Sequence, residues 1–161
     1  MRRGCMKICQ DSVISRQKDM VYRLAYSQCH QKDKADDIFQ EVMYRYMKKK
    51  PIFESFEHEK SWFIRVTLNC SKTFLMSFWN NKVEELHDED IAVSINSHHL
   101  LDYLHKLPKK YNAVLYLFYY EDYSTKEIAQ ILHLKDNYIR VLLNCARQQL
   151  KEEMMKDEQS F

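Results

Sequence analysis

The scarcity of turn-forming residues is the feature that most restricts the fold of this chain. One glycine and two prolines occur among its 161 residues. Tight β-hairpin turns depend on glycine, asparagine and proline at fixed positions, so a sheet built from hairpins has almost no suitable connections here. Lysine, glutamate, methionine, leucine and glutamine, which all favour helices, are plentiful. The composition therefore predicts an all-α protein.

The clearest local pattern is STKEIAQILHLKDNYIRVLLNCARQQL, residues 124–150. Its apolar spacing predicts two short helices that cross at a tight turn, as in a helix-turn-helix. Ala129 is small enough for a close crossing, Ser124 and Glu127 have the spacing of a capping box, and Asp136 can cap the second helix. The second helix would present Lys135, Asn137, Tyr138, Arg140, Val141 and Asn144 outward. A plain helical hairpin within a core is the alternative for this segment.

Charge is divided unevenly along the chain and indicates a domain organisation. Residues 1–80 hold 15 Lys/Arg against 9 Asp/Glu, residues 81–99 hold 1 against 5, and residues 100–161 hold 9 against 9. The acidic middle segment has weak apolar periodicity, which is typical of a flexible linker. We therefore expect two small helical domains, at 1–80 and 100–155, joined by a linker at 81–99.

The first domain is expected to contain three helices, at about 11–29, 34–49 and 59–79. The second should follow an N-cap at Asp33 and stop at Pro51. Its polar edge carries Asp36, Asp37, Gln40, Glu41 and Tyr44, for which a solvated helix face is the simplest interpretation. The third helix carries Trp62, Arg65, Asn69 and Lys72 at helical spacing. Such a stripe can hold unstacked bases, or it can be core packing with a snorkelling arginine.

Several classes of function are disfavoured by the sequence. The apolar runs are too short and too charged to cross a bilayer, and the N-terminal stretch MRRGCMKICQDS lacks a signal core. Five cysteines without a C-x-x-C pair favour reduced thiols in a cytoplasmic protein, and no four-ligand metal spacing occurs. A single glycine cannot supply a glycine-rich phosphate loop, and the seven histidines are scattered. We expect no enzymatic activity, cofactor, metal or membrane insertion.

Three segments of this chain follow one another in an order that is typical of one family. They are DDIFQEVMYRYMKK, FESFEHEKSWFIRVTLNCSKTFLMSFW and LPKKYNAVLYLFYYEDYSTKEIAQIL. In this order and spacing the chain resembles an extracytoplasmic-function sigma factor of bacterial RNA polymerase, from about residue 11 to residue 151. The resemblance implies a region 2-like helical bundle and a region 4-like helix-turn-helix domain. Together these would bind core polymerase, select promoters and help to open them.

The resemblance also implies which residues of the first domain meet each partner. The acidic edge of the second helix would dock on the clamp helices of the largest polymerase subunit through Asp36, Asp37, Gln40, Glu41 and Tyr44. The minus-ten element would be read and held open by Phe53, Glu54, Ser55, Phe56, Lys60, Trp62, Arg65, Asn69 and Lys72. Capture of a flipped base offsets the cost of strand opening, so no catalytic group is required.

The second domain would lay its recognition helix into the major groove at the minus-thirty-five element. Arg140 is the candidate for guanine, and Asn137 or Asn144 for adenine. The set implied for this element is Thr125, Lys126, Lys135, Asn137, Tyr138, Arg140, Val141, Asn144 and Arg147. Further partners implied are the flap of the second-largest polymerase subunit and an anti-sigma factor, and no small-molecule substrate is expected.

The chain departs from the family pattern at the turn and on the recognition helix. His133 stands where glycine is usual, and it would have to adopt a left-handed conformation at some cost. Leu142, Cys145, Gln148 and Gln149 stand where charged or polar residues are common. Fewer cations neutralise fewer phosphates, so binding of isolated DNA is expected to be weak.

Other classes of function stay open at this point. A free-standing helix-turn-helix regulator would use the same C-terminal module, but it would leave the N-terminal helices without a role. A degenerate sigma-like protein would bind polymerase without promoter activity. An anti-sigma or other protein-binding helical module would likewise show no promoter dependence.

Overall fold

The structure is a computed structural model, which describes the backbone of residues 2–81 and 99–159 and the side chains of residues 12–72 and 100–159. Within these ranges the chain forms α-helices and no strand. The all-α prediction is therefore confirmed. The linker predicted at 81–99 lies outside the described residues, apart from its two end positions.

The described residues form seven helices in two groups. The N-terminal helices are α1 (Arg2–Cys29), α2 (Lys32–Lys49) and α3 (Phe56–Asn81). The C-terminal helices are α4 (His99–Leu104), α5 (Lys109–Tyr119), α6 (Thr125–Leu132) and α7 (Asp136–Gln159). The first and third helices begin earlier than the sequence predicts, because apolar periodicity is weak in their first turns.

At both ends of helix α2 the cap is formed by backbone conformation and not by a side chain. Its N-cap is Gln31, which makes no side-chain capping bond, so the predicted cap at Asp33 is wrong. Asp33 lies in the first turn instead, where its negative charge still favours the helix dipole. At the other end Lys50 adopts a left-handed conformation with φ 47°, and the chain leaves the helix before Pro51 as predicted.

The three N-terminal helices pack against one another around a common apolar core. Helix α2 contributes a buried face that consists of Ala35, Ile38, Val42, Met43 and Tyr46. Glu59 of α3 is buried beside this core and accepts hydrogen bonds from Arg16 Nη2 at 2.9 Å and from Gln17 Nε2 at 2.9 Å. A buried carboxylate requires such partners, so these bonds fix the start of α3 against α1.

In the C-terminal group, α6 and α7 pack against α5. Leu117 of α5, Ile128 of α6 and Ile139 of α7 are fully buried. At the turn between α6 and α7, His133 has φ 56° and ψ 43°, the left-handed conformation that the sequence implied. Leu142 is buried as well, so it belongs to the core of this unit and does not lie on the outer face of α7.

The start of α6 is fixed by a complete capping box. The Ser124 hydroxyl accepts from the Glu127 backbone N–H at 3.2 Å, and Glu127 Oε2 accepts from the Ser124 backbone N–H at 2.8 Å. These two bonds satisfy backbone donors that the first turn of a helix otherwise leaves without partners. The capping box predicted from the sequence is confirmed.

Replacement of Ser124 by alanine should lower the free energy of unfolding by about 1 kcal/mol, because the capped N–H loses its acceptor. Ser124→Asp is the matched control, since aspartate caps as well as serine and should leave stability almost unchanged. Urea denaturation followed by circular dichroism measures both. Equal stabilities for the alanine and aspartate variants would contradict the capping role.

Candidate nucleic-acid interface

The outer face of α7 is the first part of the interface. Ile139, Leu143 and Ala146 point into the core of the C-terminal unit, which leaves the opposite side of the helix in solvent. The side chains exposed at and before its first turns are those of Lys135, Asn137, Tyr138, Arg140, Val141 and Asn144. This is the set that the helix-turn-helix pattern predicts, and it combines two cations, two amides and two exposed apolar side chains, Tyr138 and Val141.

The two arginines of α7 have different surroundings. Arg140 Nη2 lies 3.1 Å from Asp136 Oδ2, one turn earlier on the helix, and the Arg140 side chain is more than half exposed. Arg147 Nε donates to the Tyr119 hydroxyl at 2.9 Å, and its guanidinium lies 5.0 Å from the centre of the Phe118 ring. Arg140 is therefore held on the outer face, whereas Arg147 leans against α5.

The N-terminus of α6 adds two further predicted positions. Thr125 is half-buried and Lys126 is exposed at the first turn, directly after the Ser124 cap. Backbone N–H groups and the helix dipole make such a terminus favourable for a phosphate. The residues predicted for the minus-thirty-five element thus lie on α7, on the preceding turn and at the start of α6.

A cluster of aromatic side chains forms the second part of the interface, at the loop between α2 and α3. The Phe53 ring lies 5.9 Å from Trp62 and 6.4 Å from Tyr46, measured between centroids. Trp62 in turn packs at 5.0 Å against the fully buried Phe63. Phe53 and Trp62 are half-buried, so each offers one side to solvent and uses the other for packing.

The loop itself is shaped by local hydrogen bonds. Ser55 Oγ accepts from the His58 backbone N–H at 3.1 Å, as an N-cap of α3 does, and His58 Nδ1 accepts from the Glu54 backbone N–H at 3.2 Å. Phe56 is 71% exposed, with the Arg16 guanidinium 5.0 Å from its ring centre. Ser55 therefore has a structural role in the described loop, while Phe56 presents a ring to solvent.

The polar residues predicted for the minus-ten element on α3 divide into two pairs. Asn69 and Lys72 are exposed on the later turns of the helix. Lys60 Nζ, by contrast, lies 2.6 Å from Glu121 Oε2, and Arg65 Nη1 lies 2.6 Å from His133 Nε2. Of the residues predicted for the minus-ten element on α3, Lys60 and Arg65 therefore contact residues of the C-terminal unit, whereas Asn69 and Lys72 do not share these contacts.

The polar edge of α2 is the candidate protein interface. Asp37, Gln40 and Tyr44 are exposed along this edge, whereas Asp36 and Glu41 are partly buried. The other two predicted residues have local partners. Glu41 Oε1 accepts from Arg45 Nε at 2.8 Å, and Asp36 accepts a hydrogen bond from Tyr22. Burial and the neighbouring Asp36 carboxylate raise the pKa of the Tyr22 hydroxyl.

One apolar residue on this edge was not predicted. Met47 follows Tyr44 by three residues on α2 and is 57% exposed. Exposed large apolar side chains beside a polar edge are typical of protein-binding surfaces. Its spacing from Tyr44 is the sequence signal that would have revealed it.

Among the described residues, no three or more histidine, cysteine or acidic side chains are grouped so that they could hold a metal ion. Within the same ranges, no helix combines the length and apolar character that a membrane span requires.

The fold and these surfaces define a class, a helical protein that carries a helix-turn-helix with an exposed recognition helix. Residues 98–150 match the family model described as Sigma-70, region 4. The chain is 27% identical over 154 residues to RNA polymerase sigma factor SigV of Bacillus subtilis, which covers 91% of this chain and 92% of the relative. It is 26% identical over 156 residues to ECF RNA polymerase sigma factor SigM of the same organism, covering 88% and 92%.

A solved structure shows the same fold. It is the sigma factor RpoE in complex with the anti-sigma factor NepR from Bartonella quintana, with a TM-score of 0.73 and 17% identity, covering 90% of this chain and 96% of that chain. The resemblance seen in the sequence is thereby confirmed. The chain contains a sigma-70 region 4 domain and is homologous to the sigma factors SigV and SigM of Bacillus subtilis.

Proposed function

We propose that this protein is an RNA polymerase sigma factor, which binds core polymerase, directs it to specific promoters and helps to open the DNA. The observation that carries the proposal is the match of residues 98–150 to the Sigma-70, region 4 family, together with the helix-turn-helix of α6 and α7, which exposes the outer face of α7. The sigma-factor relatives match about nine-tenths of the chain, so the N-terminal helices are included in the similarity.

The two groups of helices take the two roles of such a factor. Residues 1–80 would form the unit that binds core polymerase and the minus-ten element, and residues 100–155 the unit that binds the minus-thirty-five element. The exposed edge with Asp37, Gln40 and Tyr44 would meet the clamp helices of the largest polymerase subunit. The C-terminal unit would lie at the flap of the second-largest subunit, which leaves α7 facing the DNA.

Promoter opening by such a factor would require binding of an extruded base and no catalytic step. Extrusion of a base from the duplex costs a few kcal/mol, and a pocket that stacks and holds the base offsets that cost. Phe53, Phe56 and Trp62 offer ring faces for stacking at the loop between α2 and α3. Asn69 and Lys72 are exposed on the same helix and would hold the strand backbone.

The remaining partners follow from the same function. The protein would act in the cytoplasm, where RNA polymerase works, without a cofactor or a small-molecule substrate. The solved sigma factor of the same fold is held by an anti-sigma factor. We propose that a protein of this kind also controls the present chain, by covering one or both of its DNA-binding surfaces.

Arg140→Ala should relax base selection at one position of the minus-thirty-five element, by about 1–3 kcal/mol of discrimination against the wrong base. Arg140 is held on the outer face by Asp136, where it can donate two parallel hydrogen bonds to a guanine edge. Arg147→Ala removes the same charge from a side chain that leans against α5, and it should weaken binding without altering base preference. Binding of holoenzyme to a randomised promoter pool distinguishes them, and unchanged preference in Arg140→Ala would contradict the assignment.

A direct test of the function begins with core polymerase and a pool of promoter fragments. The chain should co-elute with core polymerase in gel filtration, and the pair should retain fragments that core polymerase alone does not retain. A free-standing helix-turn-helix regulator would retain DNA without the polymerase. A protein-binding module would co-elute without selecting any DNA.

A further inference from the structure

Phe56, the first residue of α3, presents its ring to solvent and is contacted by a residue of α1. The ring is largely exposed, and the Arg16 guanidinium lies over it, 5.0 Å from the ring centre. A cation in this position is attracted by the ring quadrupole and covers one face of the ring. The Phe56 ring is thus supported by α1 on one face, while most of its surface stays in solvent. Arg16 is in none of the sets predicted from the sequence.

The Arg16 guanidinium is itself fixed by hydrogen bonds from all three of its nitrogens. Nε and Nη2 donate to Oε1 and Oε2 of Glu59 at 3.2 and 2.9 Å, and Nη1 donates to Ser12 Oγ at 2.8 Å. Two parallel bonds to one carboxylate define the plane of a guanidinium as well as its position. The plane that lies over Phe56 is therefore set by Glu59.

Glu59 is a fixed point for this contact because it is buried. Its side chain is 5% exposed, and it also accepts a hydrogen bond from Gln17 Nε2 at 2.9 Å. Glu59 follows Phe56 by three residues on α3, so the two side chains lie on the same side of the helix. One guanidinium consequently joins a buried carboxylate to an exposed ring, and it ties both to α1.

We propose that Arg16 is a positioning residue for the minus-ten element. It holds the Phe56 ring in one orientation, so that an extruded base can stack on the part of the ring that faces solvent. This inference rests on the proposed function, because it assigns a further residue to the same surface. Arg16 acts through Phe56, and its charge is already neutralised by Glu59, so it is not assigned to a phosphate.

The physical reason is the cost of ordering an exposed side chain. A free aromatic ring on a surface changes rotamer, and fixing it when a base binds lowers the affinity by about twofold to tenfold. A ring that is ordered before the base arrives avoids this loss. Lysine could not take the place of Arg16, because its single ammonium cannot pair with both carboxylate oxygens and has no planar face for the ring.

Four variants test the proposal. Arg16→Lys keeps a cation beside Glu59 but loses the planar group over Phe56, and Phe56→Ala removes the ring itself. The third variant combines these two changes. Gln17→Leu is the matched control, since it also removes a hydrogen bond to Glu59, but at a buried position beneath the surface. Urea denaturation of each variant defines the conditions in which all of them are folded.

The measurement is permanganate reactivity of unpaired thymines in holoenzyme on a promoter selected from the fragment pool. Phe56→Ala should lower the equilibrium constant for opening about tenfold, as loss of a stacked base does. Arg16→Lys should lower it about threefold, and the double variant should lose no more than Phe56→Ala alone, because Arg16 has no ring left to position. Gln17→Leu should lower stability to urea and leave opening unchanged.

Three results would overturn the proposal. If the losses of Arg16→Lys and Phe56→Ala multiply in the double variant, Arg16 acts independently of the ring. If Gln17→Leu loses as much opening as Arg16→Lys, both act through the stability of the Glu59 site. If Phe56→Ala opens the promoter normally, the ring is not a stacking surface.

The unchanged chain separates failure of this proposal from failure of the proposed function. Co-elution with core polymerase and opening of the promoter by the unchanged holoenzyme report the function by themselves. Each of the three results above leaves that function in place. A holoenzyme of the unchanged chain that opens no promoter would overturn the proposed function, and the role of Arg16 with it.

Discussion

Asp37→Arg combined with Gln40→Ala is expected to abolish binding to core polymerase while the helical circular-dichroism signal stays intact. Both side chains are exposed on α2, and neither contributes to the buried face of that helix. The change places a cation at the centre of an acidic edge, so a basic partner surface meets a like charge. Such a juxtaposition costs several kcal/mol, which corresponds to a loss of affinity of at least about a hundredfold.

Glu152→Arg is the control for that variant. It makes the same charge reversal at an exposed position near the end of α7, outside every predicted interface. Its affinity for core polymerase, measured by fluorescence titration alongside the double variant, should match that of the unchanged chain. Retained binding in the double variant would remove α2 from the polymerase interface. Equal losses in both proteins would show that net charge determines the affinity.

Trp62→Ala is expected to impair promoter opening far more than it impairs binding to core polymerase. The Trp62 ring is half-buried, with Phe63 and Phe53 on its packed side, and its other side is available for a base. Loss of one stacked base costs about 1–3 kcal/mol, or roughly tenfold to a hundredfold in open complexes. Permanganate reactivity of unpaired thymines in holoenzyme–promoter complexes measures the fraction opened.

Trp62→Ala also removes the packing of the indole ring against Phe53 and Phe63, so a structural control is needed. Phe63→Leu alters the same aromatic cluster at a fully buried position that DNA cannot reach. It should lower the free energy of unfolding and leave opening nearly unchanged wherever the protein is folded. If Phe63→Leu and Trp62→Ala lose opening to the same degree, Trp62 acts through packing alone and the melting role is wrong.

The parts of the fold that follow from local rules were predictable from the sequence. The capping box at Ser124 and the buried Ala129 needed only spacing and residue type, and the structure has both. The end of α2 before Pro51 also follows from residue type, because proline has no backbone N–H to donate and cannot continue the helix. Even the left-handed His133 was implied, since the turn demands that conformation of any residue placed there.

The parts that depend on distant pairings were not predictable. In the sequence Glu59 is one of several acidic residues in a charged stretch. In the structure it is buried and accepts hydrogen bonds from Arg16 and Gln17, more than forty residues earlier. Arg65 was assigned to DNA from helical spacing and the family resemblance, and Lys60 from the resemblance alone, and neither reveals that Glu121 and His133 lie opposite. Periodicity identifies the face of a helix, and only the packing of helices determines what that face meets.

Arg147 illustrates the same limit on the recognition helix. Its sequence position places it one turn beyond Asn144, in line with the predicted DNA face. The neighbouring helix α5 offers the Tyr119 hydroxyl and the Phe118 ring, and the guanidinium packs there. A cation near an aromatic pair is stabilised by the ring quadrupole, and this tertiary preference competes with the phosphate contact implied by the sequence.

Transcription from a library of promoter fragments, by core polymerase with and without this protein, tests the central claim most directly. The RNA starts are identified by sequencing. Starts that depend on the protein and share two upstream motifs at one fixed spacing are the expected result. The two motifs would correspond to the surfaces on α3 and α7, and their spacing to the separation of the two units in the holoenzyme. An unchanged set of starts, with the protein bound to core polymerase, would contradict the claim and define a sigma-like subunit without promoter activity.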